Sequence, residues 1–279
     1  MKHSIALFAA LLVAPALFAQ TAVPVPPAAV PPAGTAVAGT ASAIQAALED
    51  GKALDGPKEW TTTFSFGGSI TRGNKDTLVA NTRLATEKLV GDNLFNGSAE
   101  AAYGEAEQTG ADGASYTEKN IDNAKLLLGY KRRFGKPFLF VDGLLLTDDI
   151  ADIDYRAMPS AGAGAFLADT GAFRLSAQAG VGFLREQVDG VTDNYATYLF
   201  GERATYALSE TASLWEDVSC ICSFDDSDDY LVTARIGADA AMTTTLKLGV
   251  VFQYAYDNTP APGAEKEDLS LAVQLSLLL

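Results

Sequence analysis

The sequence predicts an all-β fold, an antiparallel transmembrane β-barrel of about twelve strands, on three observations. From Leu246, every second residue is apolar (Leu246, Leu248, Val250, Phe252, Tyr254, Tyr256), and after a Pro-, Gly- and charge-rich break the pattern resumes as Leu269, Leu271, Val273, Leu275, Leu277 and Leu279. Side chains of a strand alternate between faces, so each run has one apolar face and one small-polar face. Each is roughly ten residues long, the length of a tilted strand crossing a bilayer. The same alternation recurs from Trp60 onward. The connections between runs are short and long in turn, which is the asymmetry of outer-membrane barrels.

Composition narrows the class. The chain has 279 residues, 48% hydrophobic, with a formal net charge of −15; its pI is near 4.4 and its mean hydropathy +0.10. That hydropathy lies between a soluble domain and a helical membrane protein, where a barrel with a polar interior belongs. The acidic balance argues against nucleic acid as a partner, since phosphates would be repelled. The single histidine, His3, sits in a leader-like segment. Histidine-dependent catalysis and histidine metal ligation are therefore not expected of the remainder, and we assign no catalytic residue, metal ligand or cofactor.

Residues 1–19 carry Lys2 and His3, then an apolar run from Ile5 to Phe18, and read as a secretory signal peptide cleaved after Ala19. Residues 20–58 form a Pro/Ala-rich linker expected to be disordered on the periplasmic side, with Ser42 to Gly51 able to form a short helix. Residues 60–279 form the barrel. The candidate strands are Trp60 to Thr71, Thr77 to Leu89, Leu94 to Glu107, Lys119 to Phe134, Pro137 to Thr147 and Tyr155 to Leu167. They continue with Ala172 to Gln187, Asn194 to Leu208, Thr211 to Phe224, Tyr230 to Met242, Thr245 to Tyr256 and Leu269 to Leu279. Connections after even-numbered strands are tight. Those after odd-numbered strands are longer (Gln108 to Glu118, Asp148 to Asp154, Val188 to Asp193, Asp225 to Asp229, Asp257 to Asp268), except a Gly73-Asn74 turn.

Lipid contact requires an apolar row, which assigns each strand's inside. Leu78, Ala80, Thr82 and Leu84 point out, leaving Asn81, Arg83 and Glu87 in. Phe95, Ala99, Ala101 and Tyr103 point out, with Glu100 in. Leu126, Leu128 and Tyr130 point out, with Lys125 and Lys131 in. Phe173, Leu175, Ala177, Val181 and Phe183 point out, with Arg174 and Gln178 in and Arg185 left unassigned. Val232, Ala234 and Ile236 point out, with Arg235 in. The lumen-lining candidates are Arg83, Glu87, Glu100, Lys125, Asp142, Arg156, Arg235 and Lys247. With both signs of charge, the lumen is either filled by pairing or a narrow channel; twelve strands lie between side-chain-filled eight-stranded barrels and open porins. Phe138 to Leu146 is apolar on both faces apart from Asp142. The strands around Glu202 and Glu216 depart from the pattern, where a β-bulge would restore it.

Cys220 and Cys222 stand two apart and read as small apolar residues. The aspartates at Asp148, Asp149, Asp152, Asp154 and at Asp225, Asp226, Asp228, Asp229 read as solvated loops, with weak divalent binding near lipopolysaccharide as the alternative. Tyr103, Tyr130, Phe134, Tyr198, Tyr206, Tyr254 and Tyr256 read as an aromatic girdle.

Several stretches in order resemble the YdiY-like (DUF481) family of Gram-negative outer-membrane proteins. They are the first strand with Gly68-Ser69 and the Gly73-Asn74 turn, Lys119 to Arg133, the passage from Phe138 through LLLTDDIADIDYRAMPSAGAGAF, FRLSAQAGVGF, and the final hairpin ending DNTPAPGAEKEDLSLAVQLSL. The resemblance spans Trp60 to Leu279. It implies a salt-induced barrel of the outer membrane, in contact with lipid, lipopolysaccharide and the barrel-assembly machinery, and it carries over no site. The expected role is structural or narrowly porin-like, most simply as a monomer. The alternatives are an outer-membrane hydrolase, which lacks a histidine base, and a soluble periplasmic ligand-binding barrel, which would need a polar outside.

Overall fold

A computed structural model describes residues 59–72, 77–109, 115–150, 152–259 and 266–279. The expected leader, linker, short helix and Gly73-Asn74 turn lie outside these residues. The strands are β1 (Thr61–Arg72), β2 (Thr77–Val90), β3 (Asn93–Thr109), β4 (Ser115–Arg133), β5 (Pro137–Asp148) and β6 (Ile153–Asp169), then β7 (Phe173–Val188), β8 (Val191–Ala207), β9 (Ala212–Ser223), β10 (Tyr230–Ala241), β11 (Leu246–Asp257) and β12 (Glu267–Leu278). Each pairs antiparallel with its sequence neighbours, and β1 pairs with β12 to close the sheet. Closure removes the unpaired edges that an open sheet of this size would expose.

All the expected strands exist. The ends differ where a hairpin runs past the apolar belt. β3 and β4 continue to Thr109 and from Ser115, and a register shift at Gly104/Glu105 bends this extension. Val188 to Asp193, expected as a loop, is a tight hairpin instead. Asp189 and Gly190 both have positive φ (49° and 73°), the backbone of a type I′ turn, so β7 and β8 run directly into it. At the opposite end, Gly91 (φ 60°) and Gly135 (φ 79°) make the short turns after β2 and β4.

The outer surface is apolar for most of its circumference. Phe64, Phe66, Leu84, Leu128, Leu139, Val141, Leu145, Val181, Phe183, Ile236, Phe252 and the alternate leucines of β12 are all exposed. Tyrosines and phenylalanines mark the ends of this belt. Tyr130 packs on Phe95 (5.2 Å), and its hydroxyl donates to Asn93 Oδ1 at 2.7 Å. Tyr198 meets Phe224 edge-on at 5.3 Å, and Tyr230 stacks on Tyr256 at 6.1 Å.

Two expectations are corrected. No bulge interrupts β5 between Phe138 and Leu146, or the β8–β9 pairing around Glu202 and Glu216. β5 alternates strictly, exposed and buried, so its second apolar row (Phe138, Phe140, Leu144, Leu146) lies inside the barrel. In β8 and β9 the phase is also unbroken. Thr197, Leu199, Arg203, Trp215, Asp217 and Ser219 are buried inside, which places Glu202 and Glu216 on the outer face.

Candidate functional site

Twelve strands about 4.8 Å apart at a tilt near 40° make a barrel roughly 24 Å across between backbones, with room for side chains and little more. The two halves of this interior are filled differently. Leu127, Phe138, Phe140, Leu144, Leu146, Ile153, Met158, Phe166, Leu184, Leu199 and Ile221 form one buried cluster carried by β4 to β9. Inward glycines on β6 and β7 make space for its largest members. A Cβ on Gly162 would lie 2.6 Å from the Phe140 ring, and one on Gly164 would lie 2.4 Å from the Phe138 ring. A Cβ on Gly180 would meet Phe140 at 3.0 Å. The two phenyl rings therefore reach over the glycine backbone, and the Gly-Ala-Gly and Gly-Val-Gly runs leave the space they occupy.

The other half is polar and remains accessible. On β11, β12, β1, β2 and β3 many inward residues are hydrophilic, and Gln253, Ser270, Gln274, Ser276, Thr63, Ser65, Asn81, Arg83, Asn96 and Glu100 keep intermediate exposure although they point into the barrel. Val79, Leu94, Ser98 and Ala255 on the same faces are buried. Ser65 and Ser276 share a hydrogen bond across the closing seam (2.8 Å). Arg83 Nε is 3.3 Å from Glu100 Oε1, and Lys125 Nζ is 3.7 Å from Glu100 Oε2, so one carboxylate holds a cation from each neighbouring strand. The Arg83 and Glu100 side chains remain 28% and 22% exposed.

Most of the expected lumen residues fall on a single line. Successive inter-strand partners run Lys247, Ser276, Ser65, Arg83, Glu100, Lys125, Leu146, Arg156, Glu186, Asp193. Because the strands tilt, the line climbs from one mouth to the other. Arg156 Nε donates to Glu186 Oε2 at 2.6 Å near the upper end. Glu87 also points inward, opposite Thr61 and Asn96. Asp142 and Arg235 lie elsewhere, buried in the packed half.

Arg235 belongs to a second charged group, most of which the sequence reading missed. Its Nε and Nη2 donate to the two carboxylate oxygens of Asp217 at 2.8 and 2.7 Å, and Arg203 Nη1 reaches Asp217 Oδ2 at 3.3 Å. Both guanidinium groups lie over the Trp215 ring, at 4.8 and 5.4 Å. The indole Nε1 donates to Asp239 Oδ2 at 2.9 Å. A Cβ on Gly237 would meet that indole at 2.3 Å, so the glycine creates its slot. Arg203, Trp215 and Asp217 were hidden because an outward glutamate in the apolar belt looked like a break in phase. Counting from Leu199 through Glu202 without a break would have found them.

Arg185, unassigned from sequence, points outward near the end of β7, and its Nε donates to the Tyr155 hydroxyl at 3.2 Å. Cys220 and Cys222 are free thiols that share an S–H···S hydrogen bond, Sγ to Sγ 3.3 Å, on the outer face of β9. Asp148 is fully buried and accepts the Ile150 amide (3.1 Å), and Asp226 accepts the Asp228 amide (2.9 Å). Among the described residues no group of three or more His, Cys, Asp and Glu is placed to hold a metal ion.

The family described as "Protein of unknown function, DUF481" matches residues 64–277. No curated protein matches the sequence. Among solved structures, the NanC porin superposes with a TM-score of 0.55 at 11% identity, covering 77% of this chain and 100% of that one. The KdgM porin in complex with disordered oligogalacturonate has a TM-score of 0.48 at 11% identity, covering 77% and 98%. The translocator domain of the autotransporter NalP from Neisseria meningitidis has 0.48 at 15% identity, covering 88% and 99%. The NanC likeness is one of fold.

Proposed function

The chain belongs to the DUF481 family, and from that premise we propose that it is an outer-membrane barrel with a narrow, off-centre polar passage for small solutes. The observation that carries this reading is the contrast inside the barrel. The apolar cluster of the interior is carried by β4 to β9, whereas on β11 through β3 the inward Gln253, Ser270, Gln274, Ser276, Ser65, Asn81, Arg83, Asn96 and Glu100 keep accessible surface beside the buried Val79, Leu94 and Ser98. A barrel serving only as a scaffold gains nothing from leaving one half of its interior hydrophilic. The apolar belt and its aromatic ends support insertion in a bilayer, and the leader-like residues 1–19 support export to the outer membrane. Lipid, lipopolysaccharide and the barrel-assembly machinery are the partners this placement entails, with the monomer as the working unit.

No enzymatic role is proposed. Arg83 and Lys125 pair with Glu100, and Arg235 pairs with Asp217, so these interior charges are engaged with one another. The salt response implied by the family resemblance would set when the barrel is made, and protein levels at low and high NaCl test it. Liposome swelling tests transport: vesicles holding the refolded barrel should admit solutes the size of urea or glycerol and exclude disaccharides. Equal swelling for both would mean an open pore, and none for either would mean a structural barrel.

A further inference from the structure

The outer end of the packed half holds a cavity of about 90 Å³ that the passage does not use. It is enclosed by the upper ends of β6 to β11. Its floor is apolar, made by Leu184 and Ile221, and its walls carry Tyr195, Tyr230, Thr197, Asp229 and Asp257. At ~30 Å³ per water, this is space for about three waters or for one compact polar head.

The two aspartates are fixed in relation to each other. The Thr259 amide donates to Asp257 Oδ1 at 2.9 Å, and the Thr259 hydroxyl donates to Asp229 Oδ1 at 2.8 Å. A single residue therefore bridges both carboxylates and holds them together at the rim. Arg156 also lines the cavity, ion-paired with Glu186. Asp229 and Asp257 add two carboxylates to that pair. A second, independent feature points to an occupant: Thr197 is fully buried, lines the cavity, and its Oγ1 has no hydrogen-bond partner.

The geometry points to a binding site at the outer mouth for a small organic cation, an alkylated ammonium head held on Tyr195 against the carboxylates of Asp229 and Asp257. Aromatic faces and carboxylates together attract a weakly hydrated cation, and the apolar floor accepts its methyl groups. A hard divalent ion needs six to eight oxygen ligands, which these walls do not supply. Burial raises the Asp257 carboxyl above its ordinary value, with Asp229 adding to the effect. A bound cation would relieve that unfavourable charge.

The test is thermal unfolding of the detergent-refolded barrel in tetramethylammonium chloride and in KCl at equal ionic strength. This readout is indifferent to whether the barrel conducts. Tetramethylammonium should raise Tm by several degrees over KCl. Asp229→Asn and Asp257→Asn should each abolish the difference, while Tyr195→Phe keeps it and Tyr195→Ala loses it. Should one aspartate variant fail to fold in KCl, the other decides. Equal Tm in the two salts, an effect that persists in both aspartate variants, or stabilisation by CaCl2 alone would each overturn the assignment.

Discussion

Asp217 is 3% exposed and sits between Arg203 and Arg235, pairing with two buried guanidinium groups at once. Removing one partner from a buried charged group leaves the others uncompensated, at a cost of about 3–5 kcal/mol. Asp217→Ala should therefore lower the urea midpoint of the refolded barrel sharply. Glu100→Gln, in the half-exposed triad, should cost about 1 kcal/mol or less because its cations can rehydrate. Glu202 and Glu216 give the opposite sign. They face the apolar belt on neighbouring strands, diagonal to each other across the Glu202–Val218 and Ala204–Glu216 pairs. Carboxylates on a lipid face are unfavourable, so Glu202→Leu or Glu216→Leu should each stabilise the barrel in liposomes by ~1 kcal/mol. Asp257 adds a pH dependence. Its carboxyl is raised in the folded state above the ordinary 3.8, so folding favours its protonated form. The contribution is present at low pH and is lost as pH rises through the folded value. Asp257→Asn should flatten that decline in urea titrations taken upward from pH 4. The sequence made Arg83, Glu100 and Lys125 legible because each stands opposite a clean apolar row. Asp217 was not legible, because the outward glutamates beside it break the rule that charge faces inward.

β5 decides what the barrel can pass. Its outward row (Leu139, Val141, Leu145) meets the rule for lipid, and its inward row (Phe138, Phe140, Leu144, Leu146) fills half of the lumen. From sequence the strand looked irregular, because a filled interior and a bilayer ask for the same residues and alternation becomes invisible. The supporting strands repeat the point: Gly162, Gly164 and Gly180 are inward positions whose missing side chains are the space occupied by the phenyl rings. Phe138→Ala with Phe140→Ala should remove the largest part of the packing and raise single-channel conductance severalfold. The cost in stability is about 3–5 kcal/mol for each ring. Gly162→Val should block folding, since its Cβ would come within 2.2 Å of the Ala179 carbonyl oxygen; loss of heat-modifiable gel mobility would report it.

Across the whole molecule, the climbing line from Lys247 to Asp193 shows why the sequence and the barrel agree on the ring and disagree on its contents. Strand number, order and closure follow from the apolar rows and turn residues, which are local signals. The division of the lumen depends on which strands stand opposite each other, and that is set by tilt and stagger around the closed sheet. The central claim is that a continuous polar path survives beside the packed half, and single-channel recording of the refolded protein in a planar bilayer tests it most directly. We expect small, discrete steps whose ion preference shifts toward cations in Arg83→Glu. A folded, heat-modifiable barrel that stays silent, or steps as large as those of an open sixteen-stranded pore, would contradict it.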